Sequence, residues 1–298
     1  MSKQPADVIE DLHTNTKEPK QYSYDEHVQY FSKSIAPSTA DSGACFVMRL
    51  KTACGTQALT PALKAKVSRV LGDYVEYLVN PDNSATSTVQ HDARLMTAVA
   101  KCINENAALY ADPLQALFCE LMKRRLFQPP SNTTQTTLQC SIQWFYQFAK
   151  MVHKNKGYFQ TFSKQDTTQR ALSTQVIVAL FRDLANLSAA PQAIANAILG
   201  LGYLAQQGET YDISPQTINA LLEKLTASDA NPNAQHIANT FLGLGYLAQQ
   251  GKTYVISAQT INTLLGKLAV PDAKPTAQEI ANIFLGLGYF RSYALTPS

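Results

Sequence analysis

With 298 residues, 45% of them hydrophobic, the chain carries enough apolar material for a sizeable core, and its length suggests about two domains. The formal charge of +3 divides into 20 Lys+Arg against 16 Asp+Glu in residues 1–187 and 5 against 6 in residues 188–298. Neither part carries the dense positive field of a sequence-independent nucleic-acid binder, and the local basic runs at Lys123-Arg124-Arg125 and Lys150 to Lys156 read as solvated helix ends.

Taken in chain order, residues 1–38 are polar and lack sustained periodicity, which predicts a largely flexible N-terminal segment. Residues 39–130 read as a helical N-terminal region, either a separate bundle or degenerate repeats. Within it Thr60-Pro61 opens an amphipathic helix with Leu63, Val67, Val70, Leu71, Tyr74, Val75 and Leu78 on one face, stopped by Asn80-Pro81. A second pattern covers 86–109, and Asp112-Pro113 opens a third with Leu114, Leu117, Phe118, Leu121 and Met122 aligned.

Residues 131–298 are expected to form an α-solenoid, because this part of the chain repeats itself. Gly200, Gly243 and Gly286 are spaced 43 residues apart, and residues 192–234 match 235–277 at 30 of 43 positions. That period belongs to stacked helical pairs. The spacing predicts a degenerate unit at 137–187, with helical patterns at 138–154 and Ser173 to Leu187, followed by repeats at 188–231, 232–274 and a truncated 275–298. In each repeat a helix A starts at Gln192, Gln235 or Gln278 and runs to a glycine, Gly208 or Gly251; its wide apolar arc predicts burial on more than one side. Helix B starts at Ser214-Pro215 or Ser257-Ala258, with serine as N-cap and proline in the first turn, and Ile218, Leu221, Leu222 and Leu225 form its buried stripe. The final repeat ends before its helix B, so its helix A is expected to expose apolar surface, as a fragment of a longer array or one covered by another chain.

The string Gly200-Leu-Gly202-Tyr-Leu-Ala205 satisfies the G-x-G-x-x-G/A pattern of dinucleotide binders, but such a fingerprint must follow a strand and open a helix. Here the glycines lie deep inside a helical pattern. Each costs about 1 kcal/mol relative to alanine, so Gly200, Gly202, Gly243, Gly245, Gly286 and Gly288 are read as sites of close helix approach. Asn196, Asn239 and Asn282 recur in apolar surroundings and are read as structural amides, since an unpaired buried amide costs about 1–3 kcal/mol. Asn219 and Asn262 recur in helix B with the same reading or as lining of a binding surface. Tyr203, Tyr246 and Tyr289 read as core-edge rings, as do Tyr211 and Tyr254 in the A-to-B turn.

Little in the chain suggests catalysis or a cofactor. There is no H-E-x-x-H, G-x-S-x-G or P-loop, and the histidines His13, His27, His91, His153 and His236 are scattered. His236 stands where the neighbouring repeats have Ala193 and Glu279, and reads as an exposed variable residue. The cysteines Cys45, Cys54, Cys102, Cys119 and Cys140 show no C-x-x-C spacing, which fits reduced thiols in a cytoplasmic compartment; Cys45 as a nucleophile lacks an identifiable histidine partner. The first residues lack the apolar core of a secretory signal, and no apolar run reaches membrane-spanning length.

Gln278-Glu-Ile-Ala-Asn282, followed by an apolar helix and Gly-Leu-Gly, resembles the helical repeats of octotricopeptide and FAST-kinase-like proteins. It is similar, too, to short repeats of unknown function in effector-like proteins of intracellular Gram-negative bacteria. The resemblance covers residues 137–298 and implies a right-handed α-solenoid. Its octotricopeptide side implies RNA binding, from which these net acidic repeats depart; its effector side implies export to a host cell without a Sec signal and a protein target. The preferred expectation is a non-catalytic scaffold whose partner lies along the wet faces of helix B: Thr217, Ala220, Glu223 and Lys224, then Thr260, Thr263 and Lys267. An RNA-binding array would need a continuous basic track with interleaved aromatics, and an enzyme in residues 39–130 would need a pocket with convergent polar groups.

Overall fold

The computed structural model describes residues 46–47, 49–50, 60–79, 95–99, 117, 121, 135–154, 167–209, 211–252, 254–270 and 273–294. The chain divides into two compact units, Met1–Arg125 and Leu126–Ser298. In the first, α1 (Pro61–Val79) starts where Thr60 Oγ1 accepts from the Leu63 amide at 3.3 Å. Leu63, Val67, Val70, Leu71 and Tyr74 are buried, as the helical spacing requires, while Val75 is half-buried. Phe46, Val47, Leu50, Leu95, Met96, Val99, Leu117 and Leu121 are buried helical positions as well. The expected flexibility of residues 1–38, the Cys45 thiol, the helix start at Asp112-Pro113 and the run Lys123-Arg124-Arg125 lie outside the described residues.

The second unit contains α2 (Gln135–Lys154), α3 (Thr167–Asn186), α4 (Pro191–Ala205), α5 (Pro215–Thr226), α6 (Ala234–Gln249), α7 (Ala258–Gly266) and α8 (Ala277–Ala294). No strand occurs among the described residues. Helices α2, α4, α6 and α8 pack successively on one another, α3, α5 and α7 form a second successive series, and the two series meet at α2 with α3 and at α4 with α5. Helix α3 starts six residues earlier than Ser173, where the sequence pattern places it, because Thr167 to Leu172 contains no glycine or proline to interrupt propagation.

Local chemistry fixes where each helix begins and ends. Ser214 and Ser257 adopt extended backbone and their Oγ atoms accept from the amides of Thr217 and Thr260 at 3.1 and 3.0 Å, with Pro215 contributing to the first turn of α5. After α4 and α6 the chain turns through Gly208 and Gly251, whose φ values are +84° and +76°. In both, the glycine amide donates to the carbonyl three residues back, and the amide after it donates to Leu204 O or Leu247 O at 3.1 and 3.0 Å. This is the Schellman closure, which satisfies the last helical carbonyls and needs a left-handed residue. The two turns are tied together where the Tyr254 hydroxyl donates to Ile213 O at 3.4 Å.

His236 is not the free surface residue its variability suggests. Its Nδ1 accepts from the Asn233 amide at 3.2 Å, while Asn233 Oδ1 accepts from the His236 amide at 3.0 Å. In α8 the same reciprocal cap is built from Thr276 and Glu279. The imidazole must be neutral to accept, and burial holds its pKa below the ordinary 6.5. The unfolded chain therefore takes up the proton first, so this contribution is complete above the ordinary imidazole value and is lost progressively as pH falls from there through the lower value of the folded chain. His153, lowered first by burial and then by Lys154, has the same sign. Thermal midpoints at about pH 7.5 and 5.5 are expected to differ less in Asn233→Thr/His236→Glu than in the parent chain; an equal drop in both would remove His236 from the acid response.

Glycines set the spacing between α4, α6 and α8. A Cβ on Gly202 would stand 2.6 Å from Gly243 O and 2.8 Å from its Cα; one on Gly243 would stand 2.6 Å from Ile198 O; one on Gly245 would stand 2.7 Å from Gly286 Cα. Gly286 lies against the Phe241 carbonyl and the Leu242 amide nitrogen. Backbone thus meets backbone. Between α2 and α4 the arrangement differs, because Gly200 faces the Phe145 ring edge, 2.8 Å from where its Cβ would be.

Candidate aromatic binding edge

The close approach of these helices brings one side chain from each into a single row. Each tyrosine lies within the apolar run of its helix but remains half-buried, whereas nearly every neighbour in α4 and α6 is buried. Ring centroids are 6.4 Å apart from Tyr146 to Tyr203, 6.1 Å from Tyr203 to Tyr246 and 6.2 Å from Tyr246 to Tyr289, with interplanar angles of 28° to 39°. His153 stacks on Tyr203 at 4.4 Å and lies 6.0 Å from Tyr246. At the α2 end Lys150 Nζ stands 5.7 Å from the centre of the Tyr146 ring, within cation–π range.

Beside the Lys150 ammonium, Tyr146, Tyr203, Tyr246 and His153 are each shifted towards the neutral form. Burial pushes the Tyr203 hydroxyl well above the ordinary phenol range, with Tyr146 and Tyr246 adding to the effect; burial followed by Tyr289 raises Tyr246, and burial raises Tyr146. His153 is held neutral by burial and by Lys154, and its Nδ1 has no hydrogen-bond partner among the described residues. Phenolic rings packed side by side provide a stiff apolar surface with hydroxyls for orientation, at little cost in side-chain freedom.

The residues expected to line a groove along helix B divide into two kinds. Lys224 Nζ donates to Leu184 O at 3.3 Å and to Leu187 O, and Lys267 Nζ donates to Ala227 O at 3.1 Å and Ala230 O at 2.8 Å. Each lysine therefore closes the C-terminal end of the preceding helix in its series, where cations are favoured. Burial also lowers the Lys224 pKa. Thr217 and Thr260 are engaged with the capping serines through hydroxyl contacts of 2.9 Å. Ala220 and Thr263 are half-buried and Glu223 is exposed. Of the recurring amides, Asn196 is buried, Asn239 and Asn282 are half-buried, and Asn282 Oδ1 accepts from Gln278 Nε2 within α8 at 2.9 Å.

Sequence reasoning singled out Tyr203, Tyr246 and Tyr289 as core-edge rings and did not group Tyr146 or His153 with them. Tyr146 precedes Tyr203 by 57 residues rather than 43, so a comparison at fixed period steps over it. The signal was the longer internal segment between α2 and α3.

Among the described residues no cluster of histidine, cysteine, aspartate and glutamate could hold a metal, and no helix is long and apolar enough to cross a membrane. The enzymatic alternative in residues 39–130 falls largely outside the described residues. No protein family, curated protein or solved structure matches this chain.

Proposed function

We propose that residues 131–298 form a right-handed α-solenoid of two-helix units with a period of 43, and that it is a non-catalytic scaffold binding an extended protein segment along the tyrosine edge. The observation that carries this reading is the row Tyr146, Tyr203, Tyr246 and Tyr289 at 6.1 to 6.4 Å spacing. An extended strand advances about 6.6 Å over two residues, so side chains on one face of a partner strand would meet successive rings. Tyrosine is among the residues that dominate protein interfaces. RNA is the weaker reading, since residues 188–298 are net acidic and offer no continuous basic track for a phosphate backbone.

Affinity capture with the parent chain and with Tyr203→Ala/Tyr246→Ala, both verified as folded by thermal melts, tests this. The double variant is expected to lose at least ten-fold of the captured partner, while Glu223→Lys has little effect. An unchanged captured set would end the assignment, and binding of mixed single-stranded RNA at low salt that fades as salt rises would replace it with the nucleic-acid reading.

A further inference from the structure

The outward face of α8 is apolar and open. Phe284 is 70% exposed, Leu285 43% and Ile280 41%. The residues 43 positions earlier, Phe241, Leu242 and Ile237, are 1%, 6% and 0% exposed. What covers part of that earlier patch is α8 itself, with Gly286 seated against Phe241 O and Leu242 N, and Gly245 against Gly286. The same surface is repeated on α8 by the identical string Leu-Gly-Leu-Gly-Tyr. Gly202 and Gly245 each meet the glycine backbone of the next helix in the series, whereas a Cβ on Gly288 would meet nothing within 4 Å.

We propose that this face, centred on Phe284, Leu285 and Gly288, is an acceptor for an apolar, glycine-bearing helix of the α6 type. The inference rests on the stacked-unit reading above and names a second kind of partner for it. Its argument is continuity with an interface the chain already makes twice, α4 with α6 and α6 with α8. In the α4–α6 contact the two helices run parallel, since Gly243 lies by Ile198 and Gly202 and, further along, Gln206 Nε2 donates to Gln249 Oε1; in the α6–α8 contact Phe241 lies by Gly286 and, further along, Tyr246 lies by Tyr289. The chemistry of the occupant follows from the seat. A side chain at the position of Gly243 or Gly286 would strike the carbonyl of Ile198 or Phe241, so an incoming helix needs glycine there and apolar residues on either side. An unrelated amphipathic helix without that glycine would be held off and could not reach the Gly288 backbone.

The test uses the full chain and a fluorescent peptide of sequence Ala234–Gln249, read by anisotropy. Saturable binding is expected, weakened at least ten-fold by Gly288→Leu in the chain and by leucine in place of Gly243 in the peptide. Gly288→Leu has open space around it, and melts establish that it folds; Phe284→Ala serves as a second variant if it does not. Absence of saturable binding, or binding indifferent to both leucines, overturns the proposal. Concentration-dependent self-association abolished by Gly288→Leu, without peptide binding, overturns it in favour of a second copy of this chain. If the peptide fails while the tyrosine double variant still loses its partner, only the acceptor face falls; if that loss is absent too, the tyrosine-edge assignment falls with it.

Discussion

Gly243→Ala is expected to lower stability by about 2 kcal/mol or more, and Gly288→Ala to raise it by about 0.5–1 kcal/mol. In isolation both substitutions improve helix propensity by similar amounts, because both glycines lie inside helices. The sign is decided by what the new methyl meets. At Gly243 it meets Ile198 O at 2.6 Å and Leu199 Cα at 2.7 Å, main-chain atoms that can yield only by moving α4 and α6 apart. That movement loosens every contact along the pair, so the cost exceeds the propensity gain. At Gly288 nothing stands within 4 Å and the gain remains whole. Gly200→Ala is expected between them, since the obstacle is the edge of the Phe145 ring, which can turn, and not a carbonyl. Urea melts of the three variants read this order directly. A Gly243→Ala chain as stable as the parent would mean that the close approach of α4 and α6 is not required.

The glycines also mark how far the sequence could be read. Their position deep in helical patterns excluded a phosphate loop and pointed to close approach, and the caps at Ser214 and Ser257 and the turns at Gly208 and Gly251 were visible because their chemistry is local. What stayed hidden depends on neighbours distant in sequence. Lys224 reads as a solvated residue on a wet face, yet its stem carries the ammonium to carbonyls 37 and 40 residues earlier, and Lys267 does the same. His236 differs from Ala193 and Glu279, so the eye takes it for variable surface; only the reciprocal bonds with Asn233 reveal an imidazole standing in for a carboxylate. Tyr146 and His153 join the aromatic edge through an offset that no single period contains. The edge is thus a product of stacking, whereas each helix that supplies it is a product of local pattern.

Phe241→Ala and Phe284→Ala are expected to differ in stability by about 3 kcal/mol or more. The two residues occupy equivalent places in the same motif, 43 positions apart. Phe241 is 1% exposed, and removing its ring leaves a cavity among packed helices; such truncations cost about 3–5 kcal/mol. Phe284 is 70% exposed, so its truncation removes little buried surface and is expected within about 0.5 kcal/mol of neutral. Denaturant midpoints of the two variants, compared at equal slope, measure the gap. A similar loss for both would require Phe284 to be covered in solution by some part of the chain, and would withdraw the open face of α8 along with the docking assigned to it. If the gap is found, adding the Ala234–Gln249 peptide should narrow it, because the bound helix would make Phe284 the buried ring that Phe241 already is. The energetic role of a phenylalanine in this motif is then set by whether another helix is packed over it, and the string alone does not determine it.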